Sequence, residues 1–194
     1  LEFNVESTQV AISADKQRIS ITINVNEGQR YLVTGVQFTG DYLGREEEFH
    51  SLVTIQPGNA YRAEDVANTQ KAFTDRFGYF GYAFARVESI PQIDRNTGRV
   101  KVVLHAEPNR RVYVRRINIS GNTRTRDEVI RREFRQLESA WYDGRRIKLS
   151  RDRVDRLGYF SEVDVDTQEV PGSPDQVDLT FTVKEKPTGA LMLG

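Results

Sequence analysis

Two histidines, His50 and His105, and no cysteine are all that this chain offers toward imidazole or thiolate chemistry. Neither histidine stands with a serine or carboxylate in a recognisable catalytic motif, so nucleophilic and acid/base catalysis find no constellation. Asp164 and Asp166, two residues apart on a strand, share one face, as a cation site or a carboxylate pair would require. A third converging ligand and the loop such sites need are missing. The glycines sit at turns and helix ends rather than in a phosphate-cradling loop. The residues therefore read as non-enzymatic, with no cofactor and no metal. An aromatic block, Phe77-Gly78-Tyr79-Phe80-Gly81-Tyr82-Ala83-Phe84, flanked by Arg76 and Arg86, has the composition of a base-stacking platform. Its counterpart Leu157, Tyr159 and Phe160 lies at a helix end and strand start, where sealing helix against sheet is the cheaper explanation. Nucleic acid is the less favoured reading.

Charge is more informative. Residues 110 to 156 hold 15 Lys plus Arg against 7 Asp plus Glu in a chain of zero net charge, and residues 157 to 194 hold 2 against 7. One reading is a solvated helical face on which Arg131, Arg132 and Arg135 pair with Glu128 and Glu138. The other is a docking surface for an acidic partner or anionic headgroups. Trp141, the sole tryptophan, falls in an interhelical loop, where it either caps the core or stands exposed as a partner anchor.

The elements that position these residues are written twice. Leu32 to Gly40 answers Tyr113 to Gly121 at a constant register of 81, with Val36 over Ile117 and Gly40 over Gly121. FGYF at Phe77 answers LGYF at Leu157. A closing strand of alternating apolar residues appears three times, from Ile19, from Val100 and from Val177. In the second complete copy the order is a strand over Val112–Ser120, then a capping box at Thr125-Arg126-Asp127-Glu128 opening a helix that buries Val129, Ile130, Phe134 and Leu137. A second helix follows with Ile147, Ser150, Val154 and Leu157 on one face, ended by Gly158. Two strands then flank a turn at Pro171 to Asp175. The first copy repeats this with helices around Glu46–Leu52 and Ala63–Phe77 and a hairpin over Ala83–Ala106. Before it, Phe3–Val10 and Arg18–Val25 form a solitary hairpin, the remnant of a third copy.

Alternating strands imply sheets covered on one side. The fold class is α+β: tandem β-α-α-β-β repeats, each a three-stranded mixed sheet under two helices. Two helices between the first and second strands let the first and third run parallel, which leaves the second strand at an edge. Pro91 and Pro171 suit that position. An edge strand accepts an extended peptide as an added strand. The candidate edges are Val5, Glu6 and Ser7; Val87, Glu88 and Ser89; and Val163, Asp164, Val165 and Asp166, whose charges discourage indiscriminate pairing.

Hydrophobic residues make up 38% of 194, ordinary for a globular chain. No run of about 18 apolar residues occurs, and residue 1 opens directly on a strand, so the chain reads as cut from a longer protein, with Leu1 and Glu2 as a cloning remnant.

These residues resemble the periplasmic polypeptide-transport-associated (POTRA) domains of outer-membrane protein assembly factors. The resemblance is carried by Gly121-Asn122, Val129-Ile130-Arg131-Arg132-Glu133, Gln136-x-Glu138-x-Ala140-Trp141, Arg156-Leu157-Gly158 and Val170 to Asp178 running into Val183-Lys184-Glu185. It implies that 1–28 closes a third POTRA domain, that 29–109 and 110–186 are the fourth and fifth, and that 187–194 begins a transmembrane β-barrel. It further implies a non-enzymatic role at the periplasmic face of the bacterial outer membrane, receiving unfolded outer-membrane proteins. A BamD-type lipoprotein is expected at the fifth domain, through Glu138 beside Arg132, Arg135 and Trp141, and a BamB-type lipoprotein at the third. Related domains also serve secretion transporters, the alternative within the same fold.

Overall fold

The structure is a computed structural model that describes residues 3–187; the expected start of a barrel at Thr188 to Gly194 lies outside the described residues. Strands β1 (Phe3–Ile12) and β2 (Ile19–Glu27) precede β3 (Leu32–Gly40), α1 (Glu46–His50), α2 (Ala63–Tyr79), β4 (Arg86–Asp94) and β5 (Arg99–Glu107). The second copy contributes β6 (Tyr113–Ser120), α3 (Asp127–Arg131), α4 (Gly144–Asp155), β7 (Phe160–Val170) and β8 (Ser173–Glu185). The sheets have the orders β3-β5-β4 and β6-β8-β7, so the closing strand is central and the second strand lies at an edge, a position that suits Pro91 within β4, while Pro171 falls just past the end of β7. In the second sheet β6 runs parallel to β8 and β7 antiparallel to it.

Contacts divide the described chain into two compact units. One holds the chain up to Gly40 with Glu46–Lys71 and Glu88–His105; the other holds Asp41–Arg45, Ala72–Val87 and everything from Ala106 onward. The division passes through α2. In the first unit Val33, Phe49, Ile55, Val66, Val100, Val102 and Leu104 are buried. In the second, β8 turns Val177, Leu179, Phe181 and Val183 inward, each at most 3% exposed. Ile130, Phe134, Ile147 and Val154 cover them, with the Phe134 ring stacked on Phe181 at 4.4 Å. The intervening residues face water and pair across strands: Arg115 Nε donates to Asp178 Oδ1 at 2.9 Å, and the Ser120 and Thr182 hydroxyls lie 3.2 Å apart.

Three expectations about local structure need correction. The capping box at Thr125 does not form. Arg126 is the N-cap and gives no side-chain bond, because the Thr125 N–H donates to Glu185 Oε1 at 2.7 Å, 60 residues away. The Arg124 N–H at 3.0 Å and the Thr123 hydroxyl at 2.9 Å join it. These donors, the Thr125 N–H foremost, hold the Glu185 carboxyl down at about 2. Next, α3 stops at Arg131. Bonds from Glu133 N–H to the Ile130 carbonyl and from Phe134 N–H to the Arg131 carbonyl tighten its last turn. Phe134 still reaches the core, but Leu137 falls beyond the helix and is 59% exposed. Finally, the turn expected over Pro171 to Asp175 is only Pro171-Gly172, with Val170 paired to Ser173. Gly172 takes φ 77°, and both strands run longer than expected.

Candidate docking surfaces

The segment Gln136 to Asp143, between α3 and α4, is pinned from three sides. From α4, the buried Ser150 hydroxyl donates to the Arg146 carbonyl at 2.6 Å and accepts from the N–H groups of Arg135 at 2.8 Å and Gln136 at 3.2 Å. The first copy has the same device at a register of 81, where the Thr69 hydroxyl accepts from the Thr54 N–H at 3.2 Å and donates to the Asp65 carbonyl at 2.8 Å. From inside the loop, the Gln136 side chain, 1% exposed, donates to the carbonyls of Leu137 at 3.1 Å and Trp141 at 3.0 Å and accepts from the Asp143 N–H at 2.9 Å. Asp143 then caps α4 by accepting from the Arg145 N–H at 2.9 Å.

The third side is the outer edge of β6. The Ser139 N–H donates to the Val114 carbonyl at 2.7 Å, the Val114 N–H to the Ala140 carbonyl at 2.9 Å, and the Tyr142 N–H to the Val112 carbonyl at 3.0 Å. The first copy pairs Gly58, Asn59 and Tyr61 with Val33 and Tyr31 in the same pattern. The turn demands a left-handed residue: Gly58 takes φ 87°, and Ser139, its counterpart, is held at φ 60°. Glu138 extends the pairing with a side chain. Its Oε1 accepts from the Ile117 N–H at 2.8 Å, while Arg131 Nη1 donates to the Ile117 carbonyl at 3.1 Å and lies 3.7 Å from Glu138 Oε1. The first copy has Pro57 at this position, so the carboxylate is particular to the second repeat.

Glu138, with its side chain 48% exposed, and Trp141, 52% exposed, thus stand on one ordered segment. The Arg111 guanidinium lies over the Trp141 ring at 4.3 Å, and Tyr113 meets its edge at 6.1 Å. Arg132 projects from the end of α3 and lies 3.7 Å from Glu133, which Arg153 already holds at 2.8 Å. Arg135 turns back instead, donating through Nη1 to the carbonyls of Phe134, Arg132 and Glu133. Of the expected ion pairs, Arg131 with Glu138 is present at 3.7 Å. Arg131 also takes Asp127 at 3.0 Å, and Glu128 pairs instead with Arg126 at 3.6 Å on the exposed surface. Sequence reasoning missed Leu137, Arg111 and Gln136. The register would have flagged the segment, since it pairs Trp141 with Ala60 and Ser139 with Gly58.

At the candidate client edges, β7 turns Val163 inward with Val165 half-buried, exposes Asp164 and Asp166, and pairs with no further strand among the described residues. Arg151 Nε donates to the Val163 carbonyl at 2.9 Å, capping one group of this edge. On β4, Val87 is buried, Glu88 exposed and Ser89 half-buried. On β1, Glu6 lies at an irregularity where pairing passes from Val5↔Val25 to Ser7↔Asn24, and Ser7 Oγ accepts from Asn24 Nδ2 at 2.9 Å. The histidines serve packing: His105 Nδ1 lies 2.9 Å from the Thr39 hydroxyl, and His50 stacks on Phe38 at 4.2 Å. Among the described residues no group of three or more His, Asp or Glu is placed to hold a metal ion.

Comparison with known proteins places this geometry. The POTRA family model, described as surface antigen variable number repeat, matches residues 31–109 and 112–186. The outer membrane protein assembly factor BamA of Neisseria meningitidis is 38% identical over 193 residues, 99% of this chain and 24% of that protein. The crystal structure of Haemophilus influenzae BamA POTRA3-5 superposes with a TM-score of 0.87 at 31% identity, covering 95% of this chain and 73% of that one. BamA from Haemophilus ducreyi lacking POTRA domains 1-3 gives 0.68 at 28%, covering 82% and 30%. The chain thus spans about a quarter to a third of the length of the first curated relatives it matches. With two matched repeats filling most of its length, the chain belongs to the POTRA family and is homologous to the POTRA region of the BamA assembly factors.

Proposed function

We propose that this chain is a non-catalytic periplasmic module of the outer-membrane β-barrel assembly machinery, with POTRA domains over 29–109 and 110–186 and the end of another over 1–28. Its open strands β4 and β7 receive unfolded outer-membrane proteins by backbone pairing. The segment Gln136–Asp143 docks a BamD-type lipoprotein, and a BamB-type lipoprotein meets the leading hairpin. One observation carries the docking assignment: a loop fixed by buried bonds from Ser150 and Gln136 leaves Leu137, Glu138 and Trp141 in water. Ordered, exposed aromatic and aliphatic side chains around a charge are the composition of binding hot spots, and their ordering entropy is already spent. Glu138 uses Oε1 on Ile117, and the rest of its exposed carboxylate is suited to an arginine of the partner.

Client pairing is tested by titrating the isotope-labelled chain with peptides of outer-membrane barrel strands. The expected result is amide shifts along Val163 to Asp166 and Val87 to Ser89. Shifts confined to helices α2 and α4 would reject strand addition.

A further inference from the structure

One side-chain contact in the second repeat falls on the open side of its sheet. In the order β6-β8-β7 the outer side of β6 is taken by the Ser139 to Tyr142 segment, which leaves β7 as the open edge among the described residues. Val183, the β8 partner of Val163, aims its carbonyl toward the β6 side, where a Cβ on Gly121 would stand 2.0 Å from it. The N–H and carbonyl of one strand residue point the same way, so Val163 and Val183 exchange no bond and the backbone groups of Val163 point away from β8. Alternation gives Val165, Thr167 and Glu169 the same outward direction. Of these outward carbonyls, that of Val163 is already engaged, because Arg151 Nε donates to it at 2.9 Å. Arg151 reaches it from α4, where it follows the buried Ser150 and stands one turn beyond the buried Ile147. It therefore borders the face packed on the sheet, and its side chain runs to the rim while remaining 48% exposed, with Nη1 3.5 Å from Asp152. Its counterpart at the register of 81 is Gln70, so the charge is particular to the second repeat.

We infer that Arg151 is a register stop for strand addition at β7: it confines an incoming strand to Val165, Thr167 and Glu169 and excludes it from Val163. This rests on the reading that β7 receives clients by backbone pairing. The distance from Nε to the Val163 oxygen is that of a backbone hydrogen bond, so the guanidinium occupies the place of the added strand's own amide, on a line about 4.8 Å from β7. A charge-assisted bond outcompetes the neutral N–H of a client, so the stop holds when a strand arrives. At the other end the Pro171-Gly172 turn closes the run. An edge without a stop lets a partner slip by two residues with its faces unchanged, and a fixed end removes that freedom.

The test is hydrogen exchange on the isotope-labelled whole chain, with and without the barrel-strand peptides. In the free chain the expected result is a protected Arg151 Nε–H. With peptide, the N–H groups of Val165, Thr167 and Glu169 gain protection, while Val163 shifts as a neighbour and gains none. Arg151→Met keeps the aliphatic stem and removes the donors. Protection then extends to Val163 and binding tightens about 5- to 10-fold, as one or two further backbone bonds allow. Lys148→Met takes an exposed charge from the same helix without touching the edge, and leaves footprint and affinity as in the wild type. An Arg151→Met protein with the wild-type footprint and affinity overturns the inference while strand addition stands. So does a wild-type complex in which Val163 is protected, or a Lys148→Met protein that tightens equally, since the gain would then belong to charge alone. Peptides that protect no β7 amide in either protein overturn strand addition itself, and the stop with it.

Discussion

Replacing Gln136 by alanine removes the one side chain that closes the docking loop on itself. Three bonds are lost, and the groups left behind are the Leu137 and Trp141 carbonyls and the Asp143 N–H. Leu137 and Trp141 are exposed residues whose carbonyls can find water, whereas the Asp143 N–H faced the buried Gln136 side chain. A donor left unpaired costs about 1–3 kcal/mol and each of the two other bonds contributes about 0.5–1.5 kcal/mol, which puts the loss at about 3 kcal/mol. With a urea dependence of about 2 kcal/mol per molar, the midpoint of the second unit falls by about 1.5 M. The assay is favoured by composition, since Trp141 is the only tryptophan and sits on the loop. Its fluorescence reports this unit, while far-ultraviolet dichroism reports the whole chain. Amide exchange at Asp143 rises by the same mechanism. Gln136→Glu keeps an acceptor for Asp143 but sets a carboxylate against two carbonyls, and is at least as damaging. A stability loss of less than about 0.5 kcal/mol for Gln136→Ala, with exchange at Asp143 unchanged, would refute the claim that this side chain holds the surface.

Other outcomes follow from the same structure. Ser139→Gly relieves a left-handed residue at φ 60° and raises stability by about 0.5 kcal/mol, the relief of about 1 kcal/mol being partly offset by the added freedom of glycine when unfolded; a clear loss in urea titration would contradict it. Gly121→Ala brings its new Cβ within 2.0 Å of the Val183 carbonyl oxygen at φ 84°, so the second unit unfolds at lower temperature or fails to form, whereas Gly172→Ala, with no atom within 4 Å, pays only the cost of its φ of 77°. Calorimetry that ranks the two equally would refute the close approach. Glu185, held at about 2 when folded against an ordinary 4.5, contributes stability that is fully present above 4.5 and is lost as pH falls toward 2. Glu185→Gln therefore flattens acid unfolding over that window, and an unchanged acid profile would count against the assignment.

The repeat, its period and its strand order were all legible, because alternation from Val100 and from Val177 fixes the inward face and two intervening helices force a crossover. What escaped reading was non-local. Thr125 and Glu128 have the spacing of a capping box, but the Thr125 N–H belongs to Glu185, brought up from β8 by the sheet. Leu137 continues the period of Ile130 and Phe134, yet the helix has ended because the Arg135 and Gln136 N–H groups turn to the Ser150 hydroxyl. Once that turn is made, the loop is laid along β6 and its apolar residue faces water. Glu138 was legible as a position through family resemblance, but its bond to Ile117 was not, since nothing in the first copy, with Pro57 there, announces it.

The central claim is that a rigid loop of the second repeat grips a lipoprotein through an exposed charge. Glu138→Gln isolates the charge, because an amide oxygen can still accept from the Ile117 N–H, and Trp141→Ala removes the neighbouring anchor. The most direct measurement is the affinity of a purified BamD-type lipoprotein for the chain and for these two variants, read beside amide exchange at Ile117. The account predicts that each variant weakens binding at least about 10-fold, a loss of about 1.4 kcal/mol, with Ile117 still protected in the glutamine variant. Unchanged affinity in both variants, with the loop intact, would contradict it.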